Sequence, residues 1–290
     1  MDINKHRYYI TQVLLAVFRD KELSRLLAFK GGTSLLMFHA LNRFSTDLDF
    51  NLLDPTQTKL VYERLKRIVA KYGTIDDEAM KFFGLIFVMG YAKGERMLKI
   101  EVSNRQYDNH YETINLLGTD IRVMTMPDMF AHKLCALGER ITPRDVYDVC
   151  YFLQRHTEVN ANIVRLRTDM SLQDYLMMCA EKVRHTSSKM LMQGLGEVLI
   201  DTASKKFVKN GLVEETATGL ELFAMYPLVA QQEPTARLQM LDANPEVLNI
   251  LRERNIDLST ITEQVLIALV DDHKSIILHN RYGQEVEVCL

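Results

Sequence analysis

Residues 29–50 read FKGGTSLLMFHALNRFSTDLDF, and this stretch decides the fold. The apolar run Leu26 to Lys30 is stopped by Gly31-Gly32, after which Thr33-Ser34 open a helical segment, Leu35 to Leu41. That pattern is a strand or turn, a glycine elbow and a helix N-terminus. Residues 45–53 then alternate around Asp47, Leu48, Asp49 and Phe50, so a strand there buries Leu48 and Phe50 and turns both aspartates to the opposite face.

Working outward, Ile10, Val13, Leu14, Val17 and Phe18 form the stripe of an amphipathic helix. Downstream, Asp54-Pro55 caps a helix carrying Leu60, Val61, Leu65, Ile68 and Val69 that ends near Gly73. Gly84 to Ala92 and Met97 to Ser103 read as two strands joined at Lys93-Gly94-Glu95. In the second, Leu98, Ile100 and Val102 face one way and Lys99, Glu101 and Ser103 the other. A short strand, Ile121 to Met124, leads to a helix after Pro127 marked by Phe130, Leu134 and Leu137. Thr142-Pro143 starts another, with Val146, Val149, Cys150 and Leu153 inward. From about residue 156 the periodicity is helical until two short β segments, Ser275 to Leu278 and Glu285 to Cys289. The expected fold class is α+β: a mixed-sheet module over 1–155 followed by a mainly helical domain over 156–290.

The chain has 290 residues with 35 Lys plus Arg and 38 Asp plus Glu, a net charge of −3. Such a balance excludes a polyanion binder working through bulk positive charge, so any nucleic-acid contact must be local. The last 70 residues hold five basic and eleven acidic side chains, which leaves the first 220 mildly positive. Residues 182–209 carry six basic side chains (Lys182, Arg184, Lys189, Lys205, Lys206, Lys209) against two acidic ones, either an RNA-backbone surface or a solvated helix face. Cys135, Cys150, Cys179 and Cys289 lie far apart without a CxxC pair and read as reduced thiols. With no signal-peptide pattern and no apolar run of about 20 residues, the expectation is a cytoplasmic protein without a membrane partner.

Asp47, Asp49 and Glu101, on two strands, make the strongest chemical constellation. Carboxylates brought together repel and raise one another's pKa, so a cation is needed to hold them, and hard oxygen ligands favour Mg²⁺ or Mn²⁺. Asp-x-Asp alone is equally the pattern of a solvent-facing strand. What adds to it is the elbow, since Ser34 lies 13 residues before Asp47 and a glycine-opened helix N-terminus suits phosphate. No GxxxxGK[ST], HExxH or GxSxG pattern occurs, which weakens P-loop, zinc and serine-hydrolase readings. Lys133 sits at the edge of an apolar stripe, where it either meets a phosphate or snorkels to water. Asp145 and Asp148 share a helix face, and Asp145, three residues after Thr142, also suits a capping role.

The run Phe29 to Leu35 followed by Arg43 to Phe50 resembles the signature of polymerase-β-type nucleotidyltransferases. It is most similar to the AbiEii/AbiGii-type toxins of type IV toxin-antitoxin systems, a group with MenT-like members. Residues 130–137, FAHKLCAL, with Arg140 and Arg144-Asp145-Val146-Tyr147-Asp148, resemble the family's second pair of motifs. The resemblance covers about residues 25–155. It implies that Gly31, Gly32, Thr33 and Ser34 hold an NTP triphosphate, with Arg43, Lys133 and Asp145 beside it. It further implies that Asp47 and Asp49 bind Mg²⁺ or Mn²⁺ with Glu101 as third carboxylate, and that Lys133 and Asp148 complete the catalytic set. Its implied outcome is NMP transfer to a tRNA or other RNA 3′ end, with an antitoxin protein as partner. Phosphoryl or nucleotidyl transfer to a protein, and a non-catalytic nucleotide- or partner-binding module, are the alternatives.

Overall fold

The computed structural model describes residues 2–199, 201–231, 235–272 and 274–289. Its centre is a seven-stranded mixed sheet made of β1 (Leu27–Lys30), β2 (Asp47–Leu52), β3 (Thr74–Lys81), β4 (Gly84–Gly90), β5 (Leu98–Ser103), β6 (Tyr111–Leu116) and β7 (Thr119–Met124). The spatial order is β3-β4-β5-β2-β1-β7-β6. Only β2 with β5 and β1 with β7 run parallel; the remaining neighbours are antiparallel. In this mixed α+β architecture, one face of the sheet carries Phe29, Leu48, Phe50, Phe87, Ile100 and Val102 into an apolar core. Helices α1 (Ile3–Arg19) and α4 (Thr58–Tyr72) close that core with Val13, Leu14, Val17, Val61, Leu65 and Val69. Between them come α2 (Leu23–Leu26) and α3 (Gly31–Phe38), the latter linking β1 to β2.

The opposite face receives α5 (Met126–Glu139) and α6 (Pro143–Gln154). Proline enters the first turn of each, and Thr142 accepts a hydrogen bond from the Asp145 amide to start α6. Helices α7 (Ala161–Thr168), α8 (Leu172–Arg184), α9 (Ser188–Leu195), α10 (Thr202–Asn210) and α11 (Leu212–Met225) extend this layer, and their buried side chains form one continuous core with those of α5 and α6. Phe130 of α5 is its keystone, stacked on Phe152 at 4.9 Å and tilted against Phe223 at 5.6 Å.

Helices α12 (Ala236–Ala243), α13 (Pro245–Glu253) and α14 (Glu263–Val270), with the hairpin β8 (Ile276–His279) and β9 (Glu285–Val288), build a third, smaller core joined by Leu166. A buried arginine fastens it to the loop between β5 and β6. Arg237 donates to the Leu258 and Ile261 carbonyls within its own module, and across to the Gln106 carbonyl and the Asp108 carboxylate.

Two strands, β3 and β6, are absent from the sequence reading. Both are sheet edges, so neither needs two apolar faces, and Thr74–Lys81 and Tyr111–Leu116 carry charges that obscure alternation. The short strands expected near the C-terminus pair as β8 and β9. Replacing Phe130 by Ala is expected to cost about 3–5 kcal/mol, read as a lower urea midpoint, because it empties the junction of α5, α6 and α11 at once.

Candidate active site

The site lies where α3 starts. Gly31 has φ +82°, and a Cβ there would stand 2.5 Å from Asp49 Oδ2, so the chain turns into the helix pressed against that carboxylate. Gly32 is equally confined: a Cβ would meet Arg43 Nη2 at 2.8 Å and Ser45 Oγ at 2.9 Å. Thr33 donates its hydroxyl to the Asp47 carbonyl at 2.5 Å, tying the helix to the first residue of β2. Ser34 is fully buried, and its hydroxyl has no hydrogen-bond partner among the described residues.

Strand register assembles the acidic face. Lys30 pairs across from Asp49, Asp49 from Glu101, and Asp47 from Lys99, so these five side chains occupy two adjacent rows on one side of the sheet. Burial and the neighbouring Asp47 charge push Asp49 up to about 6, against a partial counter-effect of Lys30. Glu101 pairs with Lys99 at 2.5 Å, and Arg144 of α6 stands 3.8 Å from Asp47. Asp47 and Asp49 are thus only partly compensated, by Arg144 at 3.8 Å and by Lys30.

Behind them lies a cationic wall that sequence reasoning overlooked. Lys30 donates to Asn51, whose amide donates to the Tyr111 hydroxyl at 3.1 Å. Burial pushes the Lys30 ammonium down to about 8. Deeper still, His132 bonds Asn109 at 2.6 Å through Nε2 and receives Arg167 at 3.0 Å on Nδ1. Period-2 extension of the apolar run through Lys30 was the available signal, because it puts Lys30 on the aspartate face. Asn51 continues the same alternation after Asp49.

Arg43 and Asp148 form the second half of the site. The guanidinium donates through Nε and Nη2 to the two Asp148 oxygens, each at 2.6 Å, and through Nη1 to the Phe44 carbonyl. Both residues are buried. Lys133 joins at 2.7 Å from Asp148 and 3.1 Å from Asp145. Burial alone would raise the Asp148 carboxyl, but Arg43 and Lys133 overcome it and hold Asp148 below the usual carboxylate range. Asp145 both accepts the Thr142 hydroxyl at 2.6 Å, in keeping with the capping reading, and takes Lys133 at 3.1 Å. Arg43 thus gives its donors to Asp148 and Phe44, and Lys133 is the cation shared between the helix-borne carboxylates.

The donor chemistry suits a divalent cation. Mg²⁺ is ordinarily held by one or two carboxylates, with water and substrate phosphates completing the shell. Asp47 and Asp49 are such a pair, and the glycine at 31 leaves Asp49 the space beside it. Among the described residues no group of three His, Cys, Asp or Glu side chains gathers round one point.

A glycine-opened helix facing paired aspartates on a mixed sheet, with a lysine and an aspartate on the covering helices, defines a nucleotidyltransferase class of site. The family model described as "Nucleotidyl transferase AbiEii toxin, Type IV TA system" matches residues 12–217, and the chain belongs to that family. Among solved structures it is similar to JHP933 from Helicobacter pylori, with 19% identity, 86% of this chain and 97% of that one covered, and a TM-score of 0.47. It is also similar to the nucleotidyltransferase toxin MenT4 from Mycobacterium tuberculosis H37Rv, with 16% identity, 74% and 86% covered, and a TM-score of 0.42. No curated protein gives a significant match.

Two outcomes follow from the charges. A raised Asp49 pKa means that the ionised form opposes folding above pH 6 and has no effect below about pH 4, where folded and unfolded chains are both protonated. Asp49→Asn should therefore stabilise the metal-free protein by about 3 kcal/mol at pH 7.5 and by nothing measurable near pH 4, in urea titrations with chelator present. Arg43→Met strands Asp148 without its main partner and should cost about 3–5 kcal/mol in the same assay.

Proposed function

We propose that this chain transfers a nucleoside monophosphate from an NTP to an acceptor hydroxyl in a Mg²⁺-dependent reaction, with a tRNA or other RNA 3′ end as acceptor. On this reading it acts in the cytoplasm as a toxin restrained by an antitoxin protein, and residues 1–155 carry the catalysis beside a second domain over 156–290. One observation carries the chemical part: the α3 N-terminus is packed directly against Asp49, which brings phosphate-binding amides and cation-binding carboxylates together.

The amides of Gly32 and Thr33 hold the β- and γ-phosphates. Asp47 and Asp49 hold the cation, which when bound neutralises phosphate charge and lowers the pKa of the attacking hydroxyl. Two of the three Lys133 N–H groups face Asp145 and Asp148, leaving the third for a phosphate oxygen. The acceptor oxygen bonds to the α-phosphorus, the bond from that phosphorus to the bridging oxygen breaks, and pyrophosphate departs. Glu101, steadied by Lys99, takes the hydroxyl proton.

A local basic surface supports an RNA acceptor. Within residues 182–209, Lys182 caps the Gly138 carbonyl and Arg184 pairs with Glu214 and Glu221. Lys205, Lys206 and Lys209 stay exposed on the outer side of α10, whose Ser204 is bonded to Asn42 beside Arg43. For the compartment, the support is the set of unpaired cysteines, three of them buried.

Incubation with each α-labelled NTP, Mg²⁺ and total RNA should label RNA, and Asp47→Ala should lower the rate by at least about 10³-fold. Label that follows γ-labelled ATP, or that enters protein instead of RNA, rejects this reading for the phosphoryl or protein-directed alternative. Lys133→Met should raise KM for NTP about tenfold, measured by initial rates, because it removes a phosphate contact made in the ground state. Co-expression completes the test: growth arrest that requires Asp47 supports the toxin role.

A further inference from the structure

α1 carries one buried polar residue among apolar ones. Along its inner face lie Ile10, Val13, Leu14, Val17 and Phe18, and then, one turn before Ile10, His6, which is 0% exposed. A buried imidazole must satisfy both nitrogens. Nε2 lies 2.9 Å from the Thr46 carbonyl, which can only accept, so Nε2 carries the proton. Nδ1 therefore accepts from the Tyr91 hydroxyl at 2.6 Å. Burial pushes His6 below the usual histidine range, in keeping with this single neutral tautomer. The ring is boxed in by the edge of Phe44 at 5.9 Å and by Tyr91, itself stacked on Tyr9 at 4.3 Å.

The carbonyl that His6 holds belongs to the residue before Asp47. Thr46 is fully buried, and its hydroxyl reaches Asp47 Oδ1 at 3.2 Å. On the other side, the Asp47 carbonyl accepts from Thr33. Both peptide groups flanking the Asp47 Cα are thus gripped by side chains. Asp47 is the first residue of β2, where ladder bonds run out and a strand frays, and its neighbour Asp49 repels it. The β1 ladder stops at Asp49 and leaves Asp47 paired only with Lys99 of β5, so His6 adds a restraint on the side that β1 does not reach.

We propose that His6 is a positioning residue: its Nε2–H bond to the Thr46 carbonyl sets the Asp47 carboxylate beside Asp49 for the divalent cation. This deepens the reading of Asp47 and Asp49 as the cation pair and rests on it. Helix α1 is then part of the site's scaffold, in addition to covering the core.

The test exploits atom placement. The glutamine amide nitrogen reaches the position of Nε2, whereas the asparagine amide stops at that of Nδ1. Mn²⁺ affinity, measured by electron paramagnetic resonance on the full chain without nucleotide, gives a readout independent of turnover. His6→Asn and His6→Ala should weaken Mn²⁺ binding about tenfold and lower kcat by a similar factor, while His6→Gln stays within about threefold of wild type on both. Ile10→Ala is the control for lost packing on the same helix and should leave Mn²⁺ affinity unchanged. Equal behaviour of His6→Gln and His6→Asn overturns the proposal, as does an Ile10→Ala effect as large as that of His6→Ala. A wild type whose Mn²⁺ affinity is indifferent to Asp47→Ala also overturns it. A wild type that binds Mn²⁺ through Asp47 but transfers no label rejects the nucleotidyl reading alone, and the Mn²⁺ series still decides the role of His6.

Discussion

Arg43 and Asp148 are joined by two parallel hydrogen bonds in the dry interior, and much of the molecule follows from that pair. Neither charge has water to fall back on, so each must have the other. Arg43 belongs to the connection that leads into β2, and Asp148 to a helix on the covering layer, so this mutual need holds the sheet and the helices in one relative placement. Gly32 is a glycine because the guanidinium passes where a side chain would start. Lys133 then finds the second lone pair of Asp148 already oriented, and Asp145, fixed by the start of α6, completes a two-carboxylate seat for it. The buried pair is better understood as a device for placement than as a source of net stability.

The acidic half obeys the opposite logic. There the charges are incompletely matched: Asp49 is raised because burial and Asp47 work against its ionised form, with Lys30 only partly offsetting them. The Arg43–Asp148–Lys133 side of the site is electrostatically satisfied, and the Asp47–Asp49 side is left in want of positive charge. That asymmetry is consistent with the cation and phosphate binding proposed for this site.

The core of this arrangement was legible in the sequence because it is local. Asp47 and Asp49 share a face by strand period alone, and Gly31-Gly32 announced the elbow. Glu101 lay on the hydrophilic side of an alternating strand, although only the parallel pairing of β2 with β5 brings it opposite Asp49. Edge strands β3 and β6 escaped because an edge tolerates charge that alternation rules cannot parse. Arg43 could be read as orienting phosphate or as fixing the turn before β2, while its partner Asp148, 105 residues away, was out of reach of local pattern. Lys30 and His6 stayed hidden for a related reason. A lysine closing an apolar run, or a histidine interrupting a helical stripe, gains meaning only from the carbonyl or amide that the fold delivers to it.

The strict alternation of β2 has one more consequence. A slip of one residue against β1 or β5 would drive Asp47 and Asp49 into the apolar layer beneath the sheet and turn Leu48 and Phe50 towards the charged groups on its other face. Misregistered chains are therefore unstable chains, and the folding reaction itself proofreads the alignment of the two aspartates. Quality control of the catalyst and survival of the fold are one and the same selection.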